Sequence, residues 1–306
     1  MDIFLWGKRK RITAGILALI CCFFMVAFPV VALSSARKGI SLWMSNVLPA
    51  LLPFFICANF LQGLGVVRVF KGGSFPFIMS VLSGYPMGAK IIGDMKRSGE
   101  ITLREAKRLV SFCSTSGPAF IAGAVGAGML GSAAMGGIIA AAHYGGAVIN
   151  GALYTRLLGR DPSFAAPERL TPLKGIQQSL TDSILSSLKS LGIILAYIVL
   201  FMWLTDMIHM CGGLSFVPGQ ETRALAKGFF EMTVGCEAVS ECVRASEAAK
   251  CVMCSALISW GGLSVAGQSM SMLSGTGISF GYILLTKFTH SLFSAGAAFI
   301  AACIVL

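Results

Sequence analysis

Phe75-Pro-Phe-Ile-Met-Ser-Val-Leu-Ser-Gly-Tyr-Pro-Met-Gly-Ala-Lys-Ile-Ile-Gly93 is apolar enough to enter hydrocarbon, yet Pro76, Gly84, Pro86, Gly88 and Gly93 interrupt it. Lys90 and Asp94 bring the apolar stretch to an end. A plain membrane-crossing helix needs about 20 apolar residues with its backbone ladder intact, and each proline withdraws a donor from that ladder. The segment therefore reads as a re-entrant hairpin with its tip at Ser83-Gly84-Tyr85-Pro86. Irregular backbone at membrane depth is stable only where protein or a water-filled cavity meets its polar groups, so a hairpin here implies a cavity.

The surrounding chain is of the same kind. Of 306 residues, 56% are apolar and 12% charged, where soluble domains carry about a quarter charged residues; mean hydropathy is +0.80. A soluble globular domain, a disordered chain and a secreted disulfide scaffold are excluded. Apolar blocks of about 18–25 residues mark an all-α polytopic membrane protein. The ten cysteines sit singly or inside apolar blocks, as at Cys21, Cys22, Cys57, Cys113 and Cys303, and behave as small hydrophobes. Cys251-x-x-Cys254 has no second ligand pair, so no metal is expected. The net charge of +11 is spread in short clusters between the blocks. A nucleic-acid binder would gather it on one face. The expected partners are thus the lipid bilayer and a small-molecule solute, with no nucleic acid; homo-oligomer formation is left open.

Before the hairpin, Lys8-Arg-Lys-Arg11 precedes an apolar run from Ile12 to Leu33, read as a retained first transmembrane helix within residues 1–36. Its small residues from Ala32 to Ala36 resemble a signal-peptide cleavage site, but about 7–15 residues suffice for a signal core. A second span is expected over Val47–Val67, with Pro49 and Pro53 in its first turns. After the hairpin, a helix over Glu105–Leu130 should break at Ser114-Thr-Ser-Gly-Pro118, exposing carbonyls and hydroxyls at mid-membrane. Gly136–Leu158 then spans, and the polar stretch 159–180 is a linker. Beyond it come a span over Ile184–Met210, a short interrupted segment over Gly228–Ser240, a Gly-broken helix over Glu247–Met272 and a last span over Ile278–Val305.

These elements repeat. Glu105-Ala106 and Gly117-Pro-Ala-Phe-Ile-Ala-Gly123 parallel Glu247-Ala248 and Gly261-Gly-Leu-Ser-Val-Ala-Gly267, and the segments around Gly84 and Gly235 precede them at similar distances. Residues 41–158 and 181–306 each read as span, re-entrant hairpin, broken helix, span. Three crossings per half invert the second half relative to the first. With the N-terminus in the cytoplasm, fifteen basic residues fall inside (Lys8 to Arg11, Arg68, Lys71, Lys96, Arg97, Arg104, Lys107, Arg108, Arg156, Arg160, Arg169, Lys174). Six fall outside (Arg37, Lys38, Arg223, Lys227, Arg244, Lys250). That asymmetry follows the positive-inside rule and predicts seven crossings, two hairpins and a cytoplasmic linker. Inverted halves with interrupted elements are the secondary-transporter pattern, with the solute held where they meet.

The same residues resemble a family. Leu48-Pro-Ala-Leu-Leu-Pro-Phe-Phe55, Ser83-Gly-Tyr-Pro-Met-Gly-Ala-Lys90, Gly99-Glu-Ile-Thr102, Phe112-Cys-Ser-Thr-Ser-Gly-Pro118, Gly228-Phe-Phe-Glu231, Gly261-Gly-Leu-Ser-Val-Ala-Gly-Gln268 and Lys287-Phe-Thr-His290 are similar to YlbJ-type sporulation integral membrane proteins. These contain the nucleoside-recognition, or gate, domain seen in concentrative nucleoside transporters. The resemblance implies two gate repeats, a role in endospore formation and transport of dipicolinic acid across the outer forespore membrane.

Solute contact is expected at hairpin tips and helix breaks, where the backbone is free of its own ladder: Ser83, Gly84, Tyr85, Ser114, Thr115, Ser116, Gly117, Gly235, Glu237, Ser259, Gly261, Gly262, Ser264 and Gln268. Ionisable residues in spans are costly and so informative. Of Lys90, Lys189, Glu231, Glu237, Lys287, His143 and His290, the pair Lys287 and His290 lies i, i+3 on one face and would meet a dianion, while Lys90 and Glu231 are expected to snorkel. The leading expectation is a transporter of a small organic anion. The alternatives are a carrier of a nucleoside or other polar solute, for which Glu237 and Gln268 would matter more, and a non-transporting component of spore assembly. No nucleophile, base and orienter constellation appears, so no catalytic residue and no enzyme is expected. No cofactor is implied, and sodium or proton stays open as coupling ion.

Overall fold

The structure, a computed structural model, describes residues 2–64, 73–159, 175–213 and 216–306 and, within these, all side chains except those of residues 2–11, 14, 46 and 50. The expected linker falls largely on 160–174, outside the described residues, as do Arg68, Lys71, Arg160, Arg169 and Lys174 of the expected inner charge. The described chain is helical throughout, an all-α polytopic membrane protein.

Helix α1 (Asp2–Ala27) ends before Pro29, which cannot donate to the turn behind it, and the chain bends by 103° there. The apolar run to Leu33 is thus carried by two helices with a sharp bend between them. Helix α2 (Pro29–Leu42) continues through a π-wound turn, Trp43–Val47, into α3 (Leu48–Gly63). Pro49 and Pro53 sit inside this long winding. The π turn accommodates the local loss of donors, with the Leu48 amide reaching back to the Trp43 carbonyl. Arg37 and Lys38, expected in an outer loop, lie within α2.

What holds residues 29–63 in one winding is α8 (Ile176–Met210), which runs antiparallel beside it. Ser35 Oγ donates to Asp206 (2.6 Å), Trp43 Nε1 to the Leu191 carbonyl (3.1 Å) and Asn59 Nδ2 to Ser187 Oγ (2.8 Å). Gly39 packs on the Val199 backbone, where a Cβ would come to 3.1 Å. Two further long helices pair in the same sense. On α7 (Ala133–Leu158) and α13 (Phe280–Val305), Gly146 meets Ser294, Asn150 Nδ2 donates to the Thr286 carbonyl (3.1 Å) and Tyr154 stacks edge-on to Tyr282.

Between these long helices lie the interrupted ones. Helices α4 (Ser74–Ser83) and α5 (Met87–Arg97) meet at Gly84-Tyr85-Pro86, where the hairpin tip was expected. Helix α6 (Leu103–Val110) is capped by Thr102, whose Oγ1 accepts the Glu105 amide at 3.2 Å, and carries a buried Glu105–Arg108 ion pair. Residues 111–118 are then unwound before a π-wound helix, Ala119–Met129. The break is longer than expected, because Ser80 Oγ takes the Thr115 amide (3.1 Å) and ties the extended chain to α4. In the other half, α9 (Gln220–Phe230) and α10 (Met232–Ser240) meet at Glu231, and α11 (Glu247–Trp260) and α12 (Gly262–Met272) meet at Gly261.

Among the described residues, Ile176–Met210, Glu247–Met272 and Phe280–Val305 are long and apolar enough to cross a membrane, and the bent pair Gly15–Ala27 with Pro29–Ser45 makes a fourth if counted as one span. The other expected crossings rest on shorter pieces, 16 residues in α3 and 11 in the π-wound helix, or on α7, diluted by glycines, His143 and Asn150.

Candidate functional site

The interrupted elements meet at one cavity of about 530 Å³. Ser83, Gly84 and Tyr85 reach it from the α4–α5 turn, Ser116 and Gly117 from the unwound segment, Glu231 and Thr233 from the α9–α10 turn, and Val265 and Gln268 from α12. Leu51 on α3 and Ile194 and Ile198 on α8 close its apolar side. Two glycine contacts bring the tips together. Gly84, at φ +79°, leaves no room for a Cβ, which would lie 2.7 Å from the Gly117 amide. Gly262, at φ +76°, rests on the Phe230 carbonyl, 2.8 Å from where its Cβ would be. Only glycine combines that backbone angle with such an approach.

Behind the wall lies a polar core. Tyr85 shows its ring to Lys287 Nζ, 3.9 Å from the ring centroid, and donates its hydroxyl to the Ile258 carbonyl (3.1 Å) at the end of α11. Lys287 is 2% exposed and its Nζ makes no hydrogen bond. One turn on, His290 Nε2 lies 2.9 Å from the His143 carbonyl. A carbonyl can only accept, so this nitrogen carries the ring proton. His143 Nε2 accepts the Ser116 amide (2.9 Å), which leaves the proton on Nδ1, donated to Ser259 Oγ (2.7 Å).

Of the expected residues, Ser83, Gly84, Tyr85, Ser116, Gly117 and Gln268 line the cavity. The Ser83 hydroxyl is buried without a hydrogen-bond partner. Ser259, Gly261, Lys287 and His290 form the core behind Tyr85, with Gly261 against Lys287 Nζ. Ser264 takes the Gln268 amide (3.2 Å), and Thr115 shares a hydrogen bond with Ser80 (2.7 Å), so both hold structure; Ser114 is half-buried off the cavity.

Gly235 and Glu237 fall away from the site. The turn comes at Glu231, which is extended there (φ −143°, ψ 119°) and caps α10 by accepting the Val234 amide at 2.8 Å. Gly235 lies inside α10 against the backbone of Gly228, and Glu237 is exposed. Glu231 does not snorkel but is 4% exposed in the cavity wall. Lys90 does not snorkel either: its Nζ donates to Asn59 Oδ1 (2.7 Å) and Asp94 (3.0 Å). The expected contacts lack Thr233, and Glu231 and His143 figured only among the ionisable residues in spans, Glu231 as a snorkelling one. For Glu231 the signal was an acid three residues before the Val234 amide it caps.

The chain is 30% identical over 330 residues to the sporulation integral membrane protein YlbJ of Bacillus subtilis (strain 168), a match that covers 90% of this chain and 80% of that protein. No family model and no solved structure matches the chain.

Proposed function

This chain belongs to the family of the sporulation integral membrane protein YlbJ, and from that premise we propose that it is a secondary transporter of a small organic anion. By family resemblance the cargo is dipicolinic acid and the site of action the outer forespore membrane, built on two inverted gate repeats. The observation that carries the reading is the convergence of four interrupted elements on one cavity, with an unpartnered lysine directly behind the tyrosine in its wall. The matched long helices support it: α2–α3 lies antiparallel to α8, and α7 to α13, as inverted halves require. Half-helix ends around the cavity can replace part of the hydration of a carboxylate.

In this conformation Lys287 is screened from the cavity by the Tyr85 ring, so an anion reaches it only when that ring turns aside. A second reading has its own observation. The charged side chain in the cavity wall is the Glu231 carboxylate, with Gln268 nearby, which suits an uncharged nucleoside better than a dianion. Uptake of labelled dipicolinate by proteoliposomes, with uridine and aliphatic dicarboxylates as competitors, separates the two. Dipicolinate accumulation that excess uridine leaves unchanged supports the anion. Uridine accumulation supports the nucleoside, and movement of neither favours a non-transporting component of spore assembly. A fluorescent fusion in sporulating cells should mark the membrane that engulfs the forespore; a label confined to the vegetative envelope would remove the proposed location.

A further inference from the structure

We propose that His143 is a proton-operated latch on the cavity wall, so that the anion moves together with a proton; this rests on the transport reading above. His143 is fully buried on α7; its neutral ring ties two elements to that helix and its carbonyl a third. Nε2 holds the Ser116 amide of the unwound segment, Nδ1–H holds Ser259 near the end of α11, and the His143 carbonyl holds His290 on α13. The ring has one bare nitrogen, so a further proton goes to Nε2. There it would face the Ser116 N–H, donor against donor, and the bond is lost. Ser116 and Gly117 are the cavity wall at this point, and Gly117 is what the Gly84 tip rests on. Releasing that amide leaves the segment held by Thr115 on Ser80 and by the Ser116 carbonyl, which accepts from the Tyr144 hydroxyl (3.0 Å), so the wall loosens at Gly117, where the Gly84 tip leans on it. The proton comes from cavity water as the amide moves aside and returns to water from the same nitrogen, with no bond between heavy atoms made or broken.

The groups facing the ring give this latch its partner. From α13 come His290, with ring centroids 4.8 Å apart, and Lys287, which acts on His143 electrostatically. From the α4–α5 turn comes the edge of Tyr85 (6.5 Å), from α11 the Ser259 hydroxyl, and from α7 itself Tyr144 (5.3 Å). Besides the burial of the ring, His290 and Lys287 both act on it, and of these the lysine is the one whose charge an arriving anion meets. A second cation next to Lys287 is opposed by it in a medium of low dielectric. An anion arriving at Lys287 removes that opposition. Proton and anion then bind cooperatively, each raising the affinity of the other by the same factor.

The test uses proteoliposomes and dipicolinate as probe. With acid outside, wild-type uptake should exceed the pH-matched rate by about tenfold, within the usual range of such couplings, and a protonophore should abolish the excess. In His143→Gln, whose amide can accept from Ser116 and donate to Ser259, the ratio of gradient-driven to pH-matched uptake should fall to about one. A full gradient response in H143Q overturns the latch. Wild-type protein that neither accumulates nor exchanges dipicolinate overturns the transport reading instead, which keeps the two failures apart. Hydrogen exchange at the Ser116 amide needs no transport. With dipicolinate bound its protection factor should fall on acidification in the wild type, and fall less without dipicolinate; a factor that acid leaves unchanged with dipicolinate bound overturns the latch whatever H143Q does.

Discussion

Replacing Lys287 with Met exchanges a buried ammonium for an apolar chain of similar length. Lys287 is 2% exposed, its Nζ has no hydrogen-bond partner, and the Tyr85 ring lies 3.9 Å away. On insertion scales a lysine at the centre of a membrane helix costs roughly 2.5–3.5 kcal/mol. A desolvated cation–π contact offsets about 2 kcal/mol of this. The remainder, about 1 kcal/mol, acts against the folded protein, and Met fills the same space without leaving a void. K287M should therefore be more stable than the wild type by about 1 kcal/mol, a rise of roughly 2–4 °C in Tm. Uptake of the anion should fall by about tenfold or more, the value of a hydrogen bond to a charged group. Thermal unfolding in detergent followed by tryptophan fluorescence gives the first number, and proteoliposome uptake the second. A K287M protein that unfolds earlier than the wild type would make Lys287 a structural residue, and one that transports normally would take it out of the site; either result refutes the reasoning.

Gly84→Ala puts a methyl 2.7 Å from the Gly117 amide at φ +79° and should cost about 2–3 kcal/mol in thermal unfolding. Gly145→Ala on α7, with nothing within 4 Å of the added methyl, should gain up to about 1 kcal/mol, and equal stabilities for the two would show that the tips do not touch. Glu231→Ala should lose about 1–2 kcal/mol with the α10 cap, whereas Glu231→Gln, which removes a negative charge from the wall, should speed anion uptake; a slower E231Q would favour the nucleoside reading. With the ten native cysteines replaced, Ser116→Cys should react with a water-soluble thiol reagent and be protected by solute. Ser259→Cys should stay unreactive because Ser259 is fully buried against His143, and rapid labelling there would place the cavity deeper than Tyr85.

The breaks were legible because their cause is local. Pro86, Pro118 and the Gly261–Gly262 pair each disrupt a helix by their own chemistry, whatever surrounds them, and the structure turns or unwinds at all three. Long-range causes were not legible. Arg37 and Lys38 read as charges in an outside segment, yet the chain there stays helical because Asp206, far along the chain, takes the Ser35 hydroxyl and Val199 presents backbone to Gly39. Lys90 reads as a snorkelling residue until Asn59 and Asp94 are seen around it. Gly235 attracted the second hairpin tip because glycine marks turns, but here it marks a close helix–helix approach, and the turn falls on the capping acid Glu231. His143 stood out only as one ionisable residue in a span. Its importance lies in two partners from different halves, Ser116 and Ser259, and nothing in the sequence pairs them.

The two tips are held by different chemistry, and the difference gives direction to any opening. Each tip rests on a glycine contact between backbones, which has no interlocking side chains to resist separation. At the second contact, of Gly262 on Phe230, the Trp260 indole N–H donates to the Phe229 carbonyl (3.0 Å) while the two rings stack 5.3 Å apart. An indole donor keeps its proton at every physiological pH. At the first contact, of Gly84 on Gly117, the holding group is an imidazole nitrogen, which can accept the Ser116 amide only while it carries no proton. With His143 acting as the proposed latch, a shift in proton supply would loosen one tip and leave the other fixed. On the proposed transport reading such an inequality matters: if one signal released both tips together, both sides would open at once and the gradient would be lost.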